Sequence, residues 1–427
     1  MENFKHMVKK KNEIYENEYL LFVIVLFPLL IISGPFLPDL IVVFLSFFFL
    51  VKYKNFKFEK KGKLFLSLIL IFYFLINISS FLSDHILLSL KSSFFYFRFI
   101  IFSFVVSILV QQLECNEKIC KYFDYIFFCI FIFFFIDGFY QFFNGENLLG
   151  KQISSHLRNE RVSSLFGEEL ILGSFVSKTM FIYLGFIHGQ KINTNDKLNI
   201  NLRVLFIFIV CLSTIFISGE RAAFILALLG TIGYLILNIN FKACLIIIGS
   251  LMLVFFIAQN NVKLLHKYSI LYKSIFVHKT IGGETHQQHF KTAYKMFNEK
   301  KFFGHGIKSF RKKCNIEKFN SGKKSCSTHP HNYYLQILSA SGIFTFFFLI
   351  GFFLFILKEL VISLKNKITK NEVNNKKNCY LLSILISIFP FTTSGSFFNN
   401  WISITIFLSL GFLISEYRII KYSRKKS

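Results

Sequence analysis

Long apolar runs recur from one end of the chain to the other and are separated by shorter polar segments. Runs of about 17–25 apolar residues are typical of helices that cross a bilayer, whose hydrocarbon core needs about 20 helical residues. Such spans must be helices, because unpaired backbone groups find no partner in lipid. The first pair and the last pair are short enough to be re-entrant hairpins instead. The pattern predicts twelve spans, near residues 19–34, 36–51, 64–82, 86–110, 122–143, 165–187, 202–218, 221–237, 242–258, 333–357, 379–395 and 398–418.

The composition supports the same fold class. Of 427 residues, 54% are hydrophobic and 17% are charged, whereas soluble domains have about 45–50% apolar and about 25% charged residues. These values exclude a soluble cytoplasmic enzyme and a disordered or fibrous chain. We therefore expect an all-α, polytopic integral membrane protein. The sequence shows no internal repeat.

The positive charges follow the predicted topology. Lys and Arg number 49 against 23 Asp and Glu, a net charge of +26. Such an excess of positive charge often indicates nucleic-acid binding. Here the distribution of the basic residues among the loops explains the excess, and we expect no nucleic-acid partner. Basic residues concentrate in alternate loops, at 52–63, 358–377 and the tail, whereas loops 35–38, 82–85 and 394–400 have none. The positive-inside rule then predicts that both termini are cytoplasmic.

One outer segment is much longer than the others. Residues 259–332 are long enough to escape the charge rule and to form a small folded unit. Their apolar spacing predicts an amphipathic helix near 286–300. The chain then divides into helices one to nine (1–258), the outer loop with short helices (259–332), and helices ten to twelve with the tail (333–427).

Arg221 begins a predicted span at its outer end. A helix N-terminus favours anions, and a guanidinium adds a planar fork that matches phosphate oxygens. The alternative is that Arg221 anchors the helix to lipid headgroups, with Glu220 as its salt-bridge partner.

His331 precedes the tenth span, also at its outer end. A histidine titrates near neutral pH and accepts a proton from a hydroxyl group. The alternative is an interfacial histidine bonded to headgroups or backbone, and His329 competes for the catalytic role.

Two cysteines of the outer loop allow two interpretations. Cys314 and Cys326 lie on the oxidising side, where a disulfide would stabilise their loop by roughly 3 kcal/mol. They also allow a metal site with His305, His329 and His331, but the spacing matches no common zinc pattern. We expect no metal.

Two charged residues fall within predicted spans, where a charge needs a partner or a cavity. Asp137 is close to the outer end of its helix and is expected to cap it. Arg98 is expected to face a central cavity or to mark a misplaced helix boundary.

Three motifs lie at the predicted outer surface: Arg-Val-x-x-x-Phe-Gly at 161–167, Ser-x-x-Arg-Ala-Ala at 218–223, and His-Asn-x-Tyr-Leu-Gln at 331–336. Together they resemble the motifs of the bacterial O-antigen ligase and O-antigen polymerase superfamily. Gly304 and Gly306 precede the last of these, and Ser-Gly-Ile follows it at 341–343. The resemblance covers about residues 160–350.

The resemblance implies a GT-C-like, metal-independent and inverting glycosyltransferase without a cofactor. Such enzymes move a glycan from undecaprenyl diphosphate to an acceptor on the periplasmic face of the inner membrane of a Gram-negative bacterium. The acceptor is lipid A–core in the ligases and another lipid-linked repeat unit in the polymerases, while a related branch glycosylates proteins. The length and the single large loop favour a ligase over a polymerase.

The resemblance also assigns roles to residues. Arg221 would hold the diphosphate, His331 would activate the acceptor hydroxyl, and Arg161 would be a further phosphate contact. The family usually has an Arg about four residues before an aromatic residue, early in the loop helix, but 282–290 contains none. The alternatives for this contact are His286, His289, Lys291 and Arg311. The further substrate-binding candidates are Asn332, His329, Arg311 and His289.

Two other classes of protein remain as alternatives. A transporter or flippase of lipid-linked sugars keeps its binding residues near the bilayer midplane and often has inverted repeats. Here the polar clusters gather at the outer interface, which predicts an outward-facing lateral cavity beneath the long loop. A structural membrane protein without enzyme activity is the third possibility.

Overall fold

The computed structural model describes most of the chain as helices. The described residues are 19–52, 56–58, 60–152, 161–190, 197–238, 283–371, 373–417 and 420–422, with scattered residues between 248 and 273. The predicted span at 242–258 lies largely outside them. The helices that precede this gap are α1 (Tyr19–Ile32), α2 (Phe36–Lys52), α3 (Lys60–Phe81), α4 (Ile86–Ser93), α5 (Phe97–Leu113), α6 (Glu117–Asn144), α7 (Leu172–Gly189), α8 (Lys197–Ile217) and α9 (Arg221–Asn238).

The described helices after the gap build the rest of the bundle and the folded part of the outer loop. The helix Gly283–Glu299 confirms the amphipathic helix predicted near 286–300. These helices are α10 (Gly283–Glu299), α11 (Phe310–Lys313), α12 (Tyr333–Ile368), α13 (Asn375–Ser387) and α14 (Asn400–Glu416).

Four described helices are long and apolar enough to cross a membrane, namely Ile86–Leu113 (α4 and α5 together), α6, α9 and α12. Five shorter apolar helices accompany them. Large apolar side chains such as Phe44, Phe47 and Phe74 are exposed on the outside of the bundle. Water would not tolerate so much exposed apolar surface, and the chain is an integral membrane protein. The total of twelve spans stays a prediction.

Asparagine begins four of the helices. The side chains of Asn116, Asn332, Asn374 and Asn399 each accept a hydrogen bond from a backbone amide in the first turn of α6, α12, α13 and α14. Such caps satisfy amides that have no partner within the helix. The ends of these helices are therefore encoded locally.

A short antiparallel strand pair joins two distant parts of the chain. Strand β1 (Phe56–Phe58) follows α2, and β2 (Ile420–Tyr422) follows α14, with Phe56 opposite Tyr422. The pairing puts the loop after α2 and the C-terminal tail on one face of the bundle. The predicted topology requires the same arrangement, although the all-helical expectation did not include these two strands.

Arg98 marks a helix boundary. The fourth predicted span, 86–110, is divided by a single 3₁₀ turn at Phe94–Tyr96, and Arg98 lies in the first turn of α5. Its guanidinium pairs with the carboxylate of Asp39 at 3.0 Å. The carboxylate of Asp39 on α2 therefore satisfies the charge of Arg98.

Asp137 does not cap its helix. Its buried carboxylate accepts a hydrogen bond from the amide of Leu148 at 2.7 Å and another from the hydroxyl of Ser164. Both donors belong to the segment after α6. The expectation of a cap was wrong because the carboxylate instead fastens this segment to the bundle.

Candidate active site

A single large cavity collects most of the candidate residues. Its volume is about 1490 Å³, and its walls come from the segment before α7, the α8–α9 turn, the outer loop and the connection between α13 and α14. The predicted site residues on its wall are Arg161, Arg221, Arg311, His329 and His331. Arg221 and His331, far apart in the chain, thus meet at one cavity.

Glu220 builds the first wall by holding the N-terminus of α7. Its carboxylate accepts hydrogen bonds from the amide of Gly173 at 2.6 Å, and from the amide and hydroxyl of Ser174 at 3.2 and 2.7 Å. A side chain at Gly173 would come within 2.6 Å of the Ser218 hydroxyl. Within the described chain Glu220 forms no ion pair with Arg221, so the predicted salt bridge is wrong. The carboxylate instead accepts hydrogen bonds from amides of the first turn of α7, which have no partner within the helix.

Arg161 and Arg221 bring two positive charges together on this wall. Both side chains are half-buried, and their charges interact unfavourably. The Nε of Arg161 is buried and has no hydrogen-bond partner. Neither forms a salt bridge with a carboxylate in the described part of the chain. Arg221 also begins α9, so a helix N-terminus adds to the positive potential. This favours an anion site over a headgroup anchor.

Four imidazoles pack together in what we call the histidine cluster: His286, His289, His329 and His331. All of them except His289 line the cavity. The ring centroid of His331 lies 4.1 Å from that of His329 and 5.1 Å from those of His286 and His289. His286 and His289 are three residues apart on α10 and therefore share a helix face. The Nδ1 of His289 and the Nε2 of His329 are buried without a hydrogen-bond partner.

The environment keeps His331 uncharged. Burial, together with the neighbouring His329, His286 and His289, lowers the pKa of His331 from 6.5 to about 3. Burial likewise lowers the pKa of His329 to about 4. Burial disfavours the charged imidazolium, and each histidine nearby adds to the effect. At neutral pH His329 and His331 therefore have unprotonated ring nitrogens, which can accept a proton.

The backbone holds His331 in a constrained position. Its φ of +57° is in the left-handed region, which costs a residue other than glycine roughly 1–2 kcal/mol. The carbonyl of His331 accepts a hydrogen bond from the amide of Ser394 at 2.9 Å. Next to it, Asn332 caps α12 with Oδ1 and donates from Nδ2 to the carbonyl of Pro390 at 2.7 Å. These contacts fix the imidazole relative to the α13–α14 connection.

The glycines of the motifs dock the outer loop onto α12. Helix α12 is kinked at Gly342, where φ is +79°, and a side chain there would collide with the carbonyl of Phe302. The amide of Gly306 donates to the carbonyl of Ala340 at 2.8 Å, and the amide of His305 donates to that of Ser339 at 3.0 Å. The backbone of the outer loop approaches the backbone of α12 closely at Gly306 and Gly342, where a side chain would not fit.

The metal alternative is wrong. Cys314 and Cys326 are joined in a disulfide, which confirms the predicted pairing and removes both thiols as ligands. His305 is occupied elsewhere, with Nε2 2.9 Å from the carbonyl of Met296 and Nδ1 2.9 Å from Nζ of Lys313. Among the residues that the structure describes, no group of three or more potential ligands is arranged to hold a metal ion.

The four candidates for replacing the missing loop arginine differ in their position relative to the cavity. His286 and Arg311 line the cavity, His289 lies behind His331, and Lys291 is exposed and away from it. The side chain of Asn332, a predicted substrate contact, is engaged with backbone groups as described above.

Sequence reasoning did not assign the three cavity lysines, Lys151, Lys178 and Lys308, to the site. Lys178 lies inside α7, is buried, and has its ammonium 5.9 Å from the ring of Trp401. A lone lysine within an apolar run is a signal that was available. Lys308 lines the cavity two residues after Gly306, and the sequence alone gave no sign of its position.

The comparison with protein families agrees with the motifs. Residues 206–350, about a third of the chain, match the family model described as O-Antigen ligase. The matched segment contains Arg221, the histidine cluster and the kink at Gly342. No curated protein matches the chain. The match confirms the resemblance seen in the sequence: residues 206–350 are similar to the O-antigen ligase family, which supports a glycosyltransferase of the ligase or polymerase type.

Proposed function

We propose that the protein is an O-antigen ligase-like enzyme of the bacterial inner membrane. It transfers a glycan from undecaprenyl diphosphate to lipid A–core at the periplasmic face, without a metal and with inversion at the anomeric carbon. The observation that carries this proposal is the shared cavity of Arg221 and His331. The pair Arg161 and Arg221, for the donor, and the neutral base His331, for the acceptor, line the same cavity.

The donor's diphosphate binds to Arg161 and Arg221. Neither guanidinium forms a salt bridge in the described part of the chain, and both, together with the N-terminus of α9, suit a phosphate group. As the bond between the anomeric carbon and the phosphate oxygen breaks, negative charge grows on the lipid diphosphate. Fixed cations stabilise that charge more in the transition state than in the ground state, which accelerates the reaction.

The acceptor hydroxyl gives its proton to His331. The acceptor oxygen forms the new bond to the anomeric carbon while undecaprenyl diphosphate leaves from the opposite side. The imidazole of His331 is unprotonated at neutral pH and can accept this proton. The leaving group is already good, so no pair of carboxylates is needed, in contrast to glycoside hydrolysis. Asn332 acts by positioning His331, and His289 and His329 surround its ring.

The size of the cavity supports a large substrate. Pockets for ordinary small molecules measure about 300–1,000 Å³, whereas this cavity measures about 1490 Å³. A lipid diphosphate with several sugars and part of an acceptor needs such a volume. The cavity is also built from segments that the predicted topology puts at the outer surface, which favours glycan transfer over transport through the bilayer midplane.

A lipopolysaccharide gel of a deletion strain tests the proposal. Loss of every O-chain-capped band is expected for a ligase. A band with a single repeat unit would instead support the main alternative, an O-antigen polymerase, and an unchanged gel would contradict both. Glycoproteins probed in the same strain test the third possibility, transfer to protein.

A further inference from the structure

The cavity has more positive charge than the proposed donor needs. Its described wall has six lysine and arginine side chains against two carboxylates, those of Glu169 and Glu220. Glu220 is engaged with the N-terminus of α7. A diphosphate diester has one negative charge on each phosphorus, which Arg161 and Arg221 balance. Further cations remain on the wall without a described carboxylate partner, among them the half-buried Lys308 and the exposed Arg311.

Lys308 and Arg311 form a separate group among these cations. Both line the cavity, and they are three residues apart in the outer loop. Arg311 acts electrostatically on His329, whereas Arg161 acts on Arg221 and Glu220. Arg311 is therefore a cation on the side of the histidine cluster, and Lys308 lies close enough to interact with Arg311. In the described part of the chain, neither has a carboxylate partner.

The backbone holds Lys308 in an unusual conformation. Its φ is +62°, in the left-handed region that residues other than glycine rarely adopt. Such strain persists only where the surroundings impose it, and it is concentrated at functional sites. Here the preceding Gly306 is hydrogen-bonded to Ala340, and the hydroxyl of the following Ser309 donates to the carbonyl of Gly306 at 2.6 Å.

The environment of Lys308 is unfavourable without an anion. Burial lowers the pKa of Lys308, and the charges of Arg311 and Arg98 lower it further. The carboxylate of Asp39, which also accepts a hydrogen bond from Asn400, compensates Arg98, but no described group compensates Lys308. An anion placed between Lys308 and Arg311 would relieve this repulsion.

We propose that Lys308 and Arg311 form a second anion subsite, which binds a phosphate or carboxylate group of the acceptor beside His331. The assignment to the acceptor rests on the proposed function, whereas the binding of an anion does not. The subsite would hold the acceptor hydroxyl within reach of the base, and the enzyme would prefer acidic acceptor glycans over neutral ones.

Calorimetric titration of the purified protein in phosphatidylcholine nanodiscs tests the subsite. The probes are glucose 1-phosphate, glucuronate and glucose, with farnesyl diphosphate for the donor position. We expect one or both acidic sugars to bind, glucose not to bind, and saturating farnesyl diphosphate to leave that binding in place. K308Q/R311Q should weaken acidic-sugar binding at least tenfold and leave farnesyl diphosphate affinity unchanged. Stronger binding of glucose 1-phosphate or of glucuronate identifies a phosphate or a carboxylate.

The control is K312Q, which removes an exposed lysine away from the cavity and should bind like the wild type. K308R keeps the charge and should retain most of the affinity, which separates loss of the subsite from misfolding. Equal binding by K308Q/R311Q and the wild type would overturn the proposal, as would full displacement by farnesyl diphosphate. If acidic sugars bind as expected but no glycan is transferred, the proposed function fails and the subsite stands.

Discussion

The rings of His289 and His331 lie 5.1 Å apart, centroid to centroid, with only 26° between their planes. One ring comes from the outer-loop helix and the other from the residue before the cap of α12. Two imidazoles at this distance oppose each other's protonation, because each imidazolium would face another positive charge. The contact thus explains how a surface loop keeps the proposed base neutral.

The pH dependence of glycan transfer tests the neutral state of His331. Burial and the adjacent histidines lower its pKa to about 3, so the unprotonated form dominates at all pH values well above that. We expect kcat to change little between pH 7 and pH 5. An ordinary histidine, with a pKa of about 6.5, would lose most of its activity over this range. An inflection near pH 6.5, with the protein still folded by intrinsic fluorescence, would count against the assignment.

Substitution of Arg221 tests the donor site. R221Q removes the fork that faces the cavity, and the loss of one stabilising donor of this kind costs about 2.7–4 kcal/mol in the transition state, or 10²–10³ in kcat. R221K should have intermediate activity, because an ammonium keeps the charge but not the bidentate geometry. Transfer assays in proteoliposomes measure both. The control is K291Q, an exposed change on α10. Wild-type activity of R221Q would refute the donor site.

Gly342→Ala tests the docking of the outer loop. A side chain there would meet the carbonyl of Phe302, and φ is +79°, so we expect a loss of stability of at least about 1–2 kcal/mol and a lower Tm. Gly351→Ala is the matched control, since it lies on the same helix with nothing within 4 Å of the added carbon. It should leave Tm unchanged or raise it slightly. Equal effects of the two changes would contradict the docking.

Removal of the disulfide tests the stability of the loop. Cys314→Ser opens the bridge to Cys326, and the chain-entropy model gives a loss of about 3 kcal/mol for a loop of this length. Thermal unfolding of the wild type should shift down when a reductant is added, whereas the Cys314→Ser variant should not respond. Cys129→Ser, at an exposed free thiol, serves as the control. A wild type insensitive to reductant would show that the bridge does not stabilise the loop.

The sequence was sufficient to predict those features that apolar periodicity or a local motif encodes. Apolar runs located the helices, and the spacing of Phe290, Ala293 and Phe297 located α10. Motifs singled out Arg221 and His331, which line one cavity.

The partners that side chains find on other helices could not be predicted from the sequence. The partner of Arg98 is Asp39 on another helix, and the carboxylate of Glu220 is taken by the amides of α7 rather than by its neighbour Arg221. Lys308 reaches the cavity only because Gly306 and the kink of α12 bring distant backbones into contact. None of these contacts leaves a periodic or local signal.

Glycan transfer by His331→Ala tests the central claim most directly. The assay follows a radiolabelled glycan from undecaprenyl diphosphate to lipid A–core in proteoliposomes, with wild type and variant inserted in equal amounts. Loss of a general base lowers kcat by about 10²–10⁴-fold, and the account predicts a loss of this size with farnesyl diphosphate binding unchanged. Transfer by His331→Ala at the wild-type rate would contradict it.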